Sequence, residues 1–510
     1  MKAAQCRNHS PERLEMLRNV LSSAGFTPEG VLKTIGVTDS ASIKESDILL
    51  LMHRTQGGTP LETLIRLFLM EMPVDSALLS TAIEPMGLDE WEEMGLISVH
   101  GGSAQAEIKL FPYQELMIAY DLPRRLLSED GYDFVMGIGG SSITLANLTV
   151  RREAGLALDL GTGCGFQAFL AARHCDRVIA VDRNPRAVAL ADFNARLNCI
   201  QTLECREGDL FAPVEGMTFD LIVSNPPFVI SPESRYIYRD SPMAGDDVCR
   251  RIIREAPKFL NEGGFCQILC NWAELADQDW RERLRGWFDG CGCDVWVMRN
   301  QSRDVANYAA NWIRHTEKLE TEHMEERFAE WLAYYAKQQI VRVSGGVINM
   351  RRRSGGSNWF HVDDGVETMF GPGGEYILKG FVARDFLEGI GDNAALLMTA
   401  FVLSPDVRIV QQLSPSEGKW VREVCELHLS RGLSQKGEID PYVETLLIGC
   451  DGTRPLGSLI REMAETVGVP VSDIESAVCA FARDFTIRGF LLPPAQEKVQ
   501  KVTGRKRIDC

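Results

Sequence analysis

The chain has 510 residues, 45% of them hydrophobic and 25% charged. That is the balance of a soluble globular protein of about three domains, and it excludes collagenous, low-complexity and wholly disordered readings. Fifty-four basic residues against 71 acidic ones leave a net charge of −17, so no global basic footprint exists for wrapping nucleic acid, although a local basic patch is not excluded.

Taken in chain order, the first 110 residues read as helical. Leu14, Leu17 and Leu21 recur at helical spacing, as do Leu61, Leu64, Ile65 and Phe68. Thr59-Pro60 is a helix start, and Trp91 to Leu110 closes the region with a β-hairpin turning at Gly101-Gly102. Helices followed by a hairpin predict a helical, winged-helix-like N-terminal domain over residues 1–110, read in so acidic a chain as a docking module ahead of a nucleic-acid reader.

From Phe111 to Arg353 short apolar runs alternate with amphipathic helices. Strands are expected at Leu156–Leu160, Val178–Val181, Thr202–Cys205, Leu221–Val223, Phe265–Leu269, Val295–Met298 and Ile340–Val343. Val347–Met350 either continues the last strand or pairs back on it. Helices are expected at Gln167–His174, Pro185–Asn198, Asp246–Leu260, Asp279–Phe288 and Lys318–Gln338. This alternation predicts an α/β domain over residues 111–353, with a parallel sheet covered on both faces. Ser354-Gly355-Gly356-Ser357 reads as a linker. Beyond it, residues 354–510 read as an α+β domain. It ends in a second winged-helix-like segment: helices Tyr442–Leu447, Pro455–Val467 and Ile474–Arg488, then Phe490-Leu491-Leu492. The basic tail with Lys498, Lys501, Arg505, Lys506 and Arg507 reads as solvated.

Fourteen cysteines are spread along the chain without a C-x-x-C pair; the closest spacings are Cys291-x-Cys293 and Cys266-x-x-x-Cys270. They read as reduced thiols in a cytosolic protein, and without clustered Cys/His pairs no metal site is expected. Met1 to Gln5 leads into a charged helical stretch, so no signal peptide is expected. Leu61 to Met72 is broken by Arg66 and Glu71 and is too short to span a bilayer. The expectation is a cytoplasmic protein without a membrane partner.

Four signals carry chemistry, each at the end of an expected strand. The first is Asp159-Leu160-Gly161-Thr162-Gly163-Cys164-Gly165, where glycine permits a tight turn and close approach of a ligand to the backbone. A dinucleotide fingerprint wants a third glycine where this chain has Phe166, and a P-loop wants a terminal Gly-Lys-Ser/Thr that is absent. An acidic residue ahead of the first glycine would hold the methionine end of an S-adenosylmethionine. The second signal is Asp182, 23 residues after Asp159, placed to accept from ribose hydroxyls, to cap the helix beginning at Asn184-Pro185, or both. The third is Gly208-Asp209-Leu210. Asp209 would accept from an adenine amino group and Leu210 would pack on the ring, whereas Gly-Asp alone is only a turn.

The fourth signal is Asn225-Pro226-Pro227-Phe228. Two prolines fix the backbone and remove two donors. The Asn225 side-chain oxygen and the Pro226 carbonyl can then accept both hydrogens of one planar –NH₂ group, and Phe228 offers a flat face to an amide or a base. The nitrogen lone pair is turned toward a methyl sulfonium by positioning and electrostatics, without a strong base.

In this order the signals resemble the class I S-adenosylmethionine-dependent N-methyltransferases with an Asn-Pro-Pro-aromatic motif. That group includes release-factor glutamine methyltransferases and ribosomal RNA guanine-N2 and adenine-N6 methyltransferases. The resemblance covers roughly residues 111–353 and implies a Rossmann-like, seven-stranded core. It implies that Asp159, Gly161, Gly163 and Gly165 line the cofactor's methionine end, that Asp182 binds its ribose and Asp209 its adenine, and that Asn225, Pro226 and Phe228 hold the acceptor nitrogen. The family often has tyrosine where this chain has Phe228; phenylalanine is common among the guanine-N2 enzymes. The resemblance implies a macromolecular acceptor, a protein glutamine first and an RNA base as the alternative. An idle cofactor-binding adapter is disfavoured by the intact motif, and an oxidoreductase by Phe166. Met136 to Ser142 would either cover the cofactor or form an ordinary turn, and Arg239–Asp240 reads as a loop-fixing pair. Trp272, Trp287, Trp296, Trp312 and Trp331, with Cys266 and Cys270, read as core.

Overall fold

The computed structural model describes residues 9–37, 48–127, 131–232, 239, 243–316, 321–355, 357–364, 369–370, 372–433 and 435–494. Met1 to Gln5, Gly356 of the expected linker, Tyr238 and Asp240 of the loop after the Asn-Pro-Pro-Phe turn, and the basic tail from Lys498 to Arg507 lie outside them. Two compact units divide the chain. One holds the N-terminal region and residues 153–363; the other is built chiefly from residues 364–503.

In the first unit, the N-terminal region has the element order of a winged helix. A helix from Pro60 to Leu64 continues to Leu69, then come the strand Val74–Asp75, the helices Ser76–Ala82 and Leu88–Glu93, and the strands Ile97–His100 and Ser103–Ala106. The hairpin turns at Gly101 and Gly102, with φ of 57° and 82°, the two positive values that a tight hairpin of right-handed strands requires. Its interior is Phe26, Leu64, Phe68, Leu79 and Trp91, all buried. The helix Leu88–Glu93 carries Asp89, Glu90, Glu92 and Glu93.

The α/β core follows. In chain order it comprises α1 (Gly140–Leu148), β1 (Ala154–Leu160), α2 (Phe166–Ala171), β2 (Cys175–Asp182), α3 (Pro185–Leu197), β3 (Leu203–Glu207), β4 (Phe219–Ser224), α4 (Asp247–Glu255), β5 (Leu260–Leu275), α5 (Trp280–Arg285), β6 (Cys293–Asp304), α6 (Val305–Thr316), α7 (Thr321–Lys337), β7 (Ile340–Arg352) and β8 (Phe360–Asp364). The sheet order is β8-β6-β7-β5-β4-β1-β2-β3. Strands β1 to β5 pair in parallel, and β7 runs antiparallel between β5 and β6. This is the Rossmann-like arrangement of class I methyltransferases, with β8 added at the edge.

The local chemistry explains the elements. The strands are fully apolar where helices cover both faces, as in Val178-Ile179-Ala180-Val181, all buried. Helix α3 starts where the Asn184 side chain accepts from the Arg186 backbone at 2.9 Å, with Pro185 in the first turn. Val347–Met350 continues β7 and does not pair back. Cys266 and Cys270 share the core with Trp272 and Trp287; Trp296 and Trp331 are buried and Trp312 half-buried. Phe360–Asp364 joins the core sheet beyond the expected linker, so the compact unit extends to Asp363.

In the second unit, the helix Gly374–Ile390 packs in one core with the helices Pro441–Ile448, Leu456–Val467 and Val471–Ile487. The strand Leu491–Leu492 pairs back on Val402–Leu403, and a long hairpin, Val407–Ser416 with Lys419–Leu429, completes the α+β unit.

Eleven described cysteines are free thiols. Cys199 is disulfide-bonded, a correction to the all-thiol expectation; it sits half-buried in the loop just past α3. No described helix is long and apolar enough to cross a membrane, and no described group of three His, Cys, Asp or Glu side chains is placed to hold a metal ion.

Candidate active site

Sheet order reverses between β1 and β4, and at that point the carboxyl ends of the strands open a crevice. A cavity of about 1170 Å³, counted to its open mouth, lies there. Gly161 and Gly163 line one side, Asp182, Asp209 and Leu210 the next, and Asn225, Pro226 and Pro227 the far side. Four loops that are distant in the sequence meet because each leaves the same edge of one sheet.

The glycine loop is built for close approach. Gly161, Gly163 and Gly165 have φ of 76°, 56° and 91°, values that side-chain-bearing residues rarely adopt. A Cβ at Gly161 or Gly163 would meet nothing within 4 Å, so both present bare backbone to the cleft. A Cβ on Gly165 would lie 2.3 Å from the Phe169 ring. Gly165 is therefore a packing glycine behind the cleft, outside its lining.

Asp159 sits deeper still. It is 1% exposed and lies beneath the loop, outside the cleft lining. Its Oδ2 accepts from Thr162 Oγ1 at 2.7 Å and from the Ala168 backbone at 3.0 Å, which ties β1 to α2. Its Oδ1 is buried with no hydrogen-bond partner among the described residues. Burial raises its pKa from 3.8 to about 7, against the pull of the Thr162 and Ala168 hydrogen bonds.

Asp182 does line the cleft. Its carboxylate accepts from the Gly163 backbone at 2.9 Å and from the Asn184 backbone at 2.9 Å. It braces the glycine loop against the next loop. The helix cap is Asn184, so Asp182 is not the cap. Burial raises its pKa, while the N–H groups of Asn184 and Gly163 lower it. Asp209 is 56% exposed and pairs with Arg251 at 3.0 Å. Leu210 holds a φ of 46° that turns it toward the cleft and the core.

At the far side, Ser224 Oγ donates to the Leu160 carbonyl at 2.8 Å, fastening the ends of β1 and β4 together. The Asn225 amide nitrogen donates to the hydroxyls of Ser141 and Ser142, each at 3.4 Å. This orientation leaves the Asn225 side-chain oxygen as the acceptor facing the cleft. Met136, Gly137 and Ser142 also line it, so the Met136 to Ser142 segment is a wall of the site. Phe228 is not in the lining; it is half-buried between two core clusters, and its flat face is spent on packing.

Past the turn, the Ile230 backbone is held from both sides. Its N–H donates to Tyr308 Oη at 3.2 Å, and Tyr335 Oη donates to its carbonyl at 2.8 Å. Asn271 adds a donor to Tyr308 at 2.8 Å. Arg239, 2% exposed, stacks over Trp331 and its carbonyl accepts from Val229. A second brace lies on the opposite side of the cleft. Arg186 and Asp121 form a buried pair, with Nε to Oδ2 at 2.8 Å, and Asp121 also accepts from the Val135 backbone at 2.8 Å. Leaving either ion of such a pair alone costs about 3–5 kcal/mol.

Residues 138–291 match the family described as methyltransferase small domain. Residues 23–107 and 379–493 match two families described as domains of unknown function, DUF7059 and DUF7782. The chain is similar to a release factor glutamine methyltransferase of Geobacter sulfurreducens, 37% identical over 162 residues, covering 29% of this chain and 55% of that one. It is 36% identical over 146 residues to a ribosomal protein uL3 glutamine methyltransferase of Bradyrhizobium diazoefficiens, covering 26% and 46%. It is 33% identical over 128 residues to a ribosomal RNA small subunit methyltransferase C of Alcanivorax borkumensis, covering 25% and 35%. The chain thus spans about half or less of the length of these relatives.

Proposed function

We propose, from a chain whose residues 138–291 match the methyltransferase small domain family, that this protein is an S-adenosylmethionine-dependent N-methyltransferase. Its acceptor is a planar amide or amino nitrogen of a macromolecule. The observation that carries the reading is the Asn225 amide. Its nitrogen is committed to Ser141 and Ser142, and its oxygen stands with Pro226 at a cleft that also presents bare glycine backbone, the carboxylates of Asp182 and Asp209, and an apolar wall with Leu160, Val181 and Ile252.

The residues present fit the cofactor. Gly161 and Gly163 form a cradle that side chains would fill. The carboxylates of Asp182 and Asp209 in the lining give the site the sign that a sulfonium and an ammonium require. When bound, the cofactor supplies an electrophilic methyl group. In this reading Asp182 would accept from ribose hydroxyls, and Asp209 with Leu210 would take the base. The Asn225 oxygen and the Pro226 carbonyl would accept both hydrogens of the acceptor –NH₂, which directs its lone pair out of conjugation and toward the cleft. These acceptors also stabilise the positive charge that builds on the nitrogen during transfer.

Among acceptors, a protein glutamine is the first reading, supported by the names of the more similar relatives. The acidic helix Leu88–Glu93 supports it too, since four carboxyl side chains on the helix that precedes the hairpin repel a phosphate backbone. An RNA base is the second reading, favoured by a separate cluster of arginines on the core. The test is methyl transfer from labelled S-adenosylmethionine into an extract lacking this protein, followed by protease or RNase. Label released by protease supports glutamine, label released by RNase supports a base, and no transfer by wild type sinks the proposal.

A further inference from the structure

Away from the cleft, a second pocket lies where β6 ends and β7 begins, on the same edge of the sheet as the Asn225 turn. Ser302, Arg303, Asn307, Asn311, Arg314 and Arg342 line it. Asn307, Asn311 and Arg314 are four and three residues apart on α6, so they share one face. The neighbouring Tyr308 is buried and points the other way, holding the Ile230 backbone just past the catalytic turn. One helix therefore links the pocket to the methyl-transfer site.

The charges of this pocket are not balanced from within. Arg342 is held in place by Ser302, through its side chain at 3.0 Å and its carbonyl at 3.2 Å, with Glu274 at 3.9 Å. The one acid in the lining, Asp304, is tied to the Asn307 backbone at 2.9 Å and to its amide at 2.6 Å. The side chains of Arg303 and Arg314 make no ion pair or hydrogen bond among the described residues. In a chain of net charge −17, two guanidiniums with no acid paired to them, beside a third, anchored one, leave a local positive excess that suits an external anion.

Apart from Ala310 the lining is polar, so no apolar wall exists to take a side chain or a base. Recognition here runs on charge and donated hydrogen bonds alone. A single carboxylate is matched by one guanidinium fork. Several forks facing one space suit consecutive phosphates, which arginine engages with planar paired donors. We infer that this pocket binds the phosphodiester backbone of an RNA, holding the strand on the acceptor side of the cleft. The inference goes beyond methyl transfer. It stands whether the methylated nitrogen belongs to a base or to a protein carried on RNA.

The test uses the full chain and a fluorescent oligouridine RNA, read by anisotropy across a salt titration without cofactor. Wild type should bind. Arg303→Gln/Arg314→Gln should bind about tenfold more weakly at moderate salt, with its log–log salt slope reduced by about 1.4, or about 0.7 for each single-strand phosphate no longer neutralised. Arg303→Lys/Arg314→Lys keeps the charge and should keep most of the slope. S-adenosylmethionine affinity and the melting temperature of both variants should match wild type. No RNA binding by wild type, an unchanged slope in the glutamine variant, or displacement of the RNA by polyglutamate as readily as by unlabelled RNA would each overturn the inference. A chain that binds RNA through these arginines but transfers no methyl group would leave it standing and remove the proposed function instead.

Discussion

Asn194 grips Ala119 by both backbone groups: its side-chain oxygen accepts from the Ala119 N–H and its amide donates to the Ala119 carbonyl, each at 2.8 Å. One turn on, Asn198 does the same to Met117, at 2.7 and 2.8 Å. Two asparagines spaced by four, at the end of α3 and at its C-cap, thus stand in for a second neighbouring strand along the segment Leu116–Tyr120, whose other edge pairs with Lys109–Tyr113. Asn194 also donates to the Cys164 carbonyl at 2.9 Å, so the same amide fixes the glycine loop. Asn194→Ala would leave buried backbone groups unpaired and should cost about 2–3 kcal/mol, measured by urea denaturation. A loss under about half a kcal/mol would mean that water replaces the amide.

Asn225→Ala removes the acceptor for the substrate amide without touching the glycine cradle. Methyl transfer should fall below detection while S-adenosylmethionine affinity, read by calorimetry, stays within a few-fold. Loss of cofactor binding in this variant would contradict the role given to Asn225. The Ser142→Ala variant loosens only the orientation of that amide and should lower kcat by about tenfold, a smaller effect than removing a transition-state donor or acceptor outright.

Asp182→Ala removes both an acceptor in the cleft and the brace on Gly163. Cofactor binding should weaken by about 1–3 kcal/mol, checked by the same calorimetry. Unchanged affinity would leave Asp182 with a loop-fixing role alone.

Asp159 makes stability depend on pH. Its folded pKa, about 7, lies above the ordinary 3.8, so the folded state holds a proton that the unfolded chain has already released. The stability linked to that proton is fully present below pH 3.8 and is lost as pH rises through about 7. The melting temperature of the cofactor-free protein should therefore carry a downward component from about pH 4 to about pH 7, levelling off above that, which Asp159→Asn removes. Identical pH profiles for wild type and variant would show that the proton is not held there.

The glycine loop and the Asn-Pro-Pro-Phe turn were legible in the sequence because each is short, contiguous and placed at the end of an apolar strand. Spacing along the chain is then spacing in space. What holds them was not legible. Asn194 and Ala119 are 75 residues apart, Arg186 and Asp121 are 65 apart, and Tyr335 and Ile230 are 105 apart. No local periodicity records such pairs, and each residue alone reads as an ordinary surface or core side chain. The fates of Asp159 and Phe228 depend on which side of a turn the core claims, and only the packing on α2 and α7 decides that. The joining of β8 to the sheet was hidden for a related reason: Ser354-Gly355 looks like the end of a domain, although the next segment pairs back on β6.

The two tyrosines that hold Ile230 come from α6 and α7 and seize the two peptide groups flanking that residue, while β4 fixes the other end of the turn. The reacting corner is thereby a mould cast before any acceptor arrives. Affinity for the acceptor need not be used up in shaping it. Choice of acceptor can then reside in surfaces elsewhere on the chain, and those can diverge freely while the chemistry stays the same.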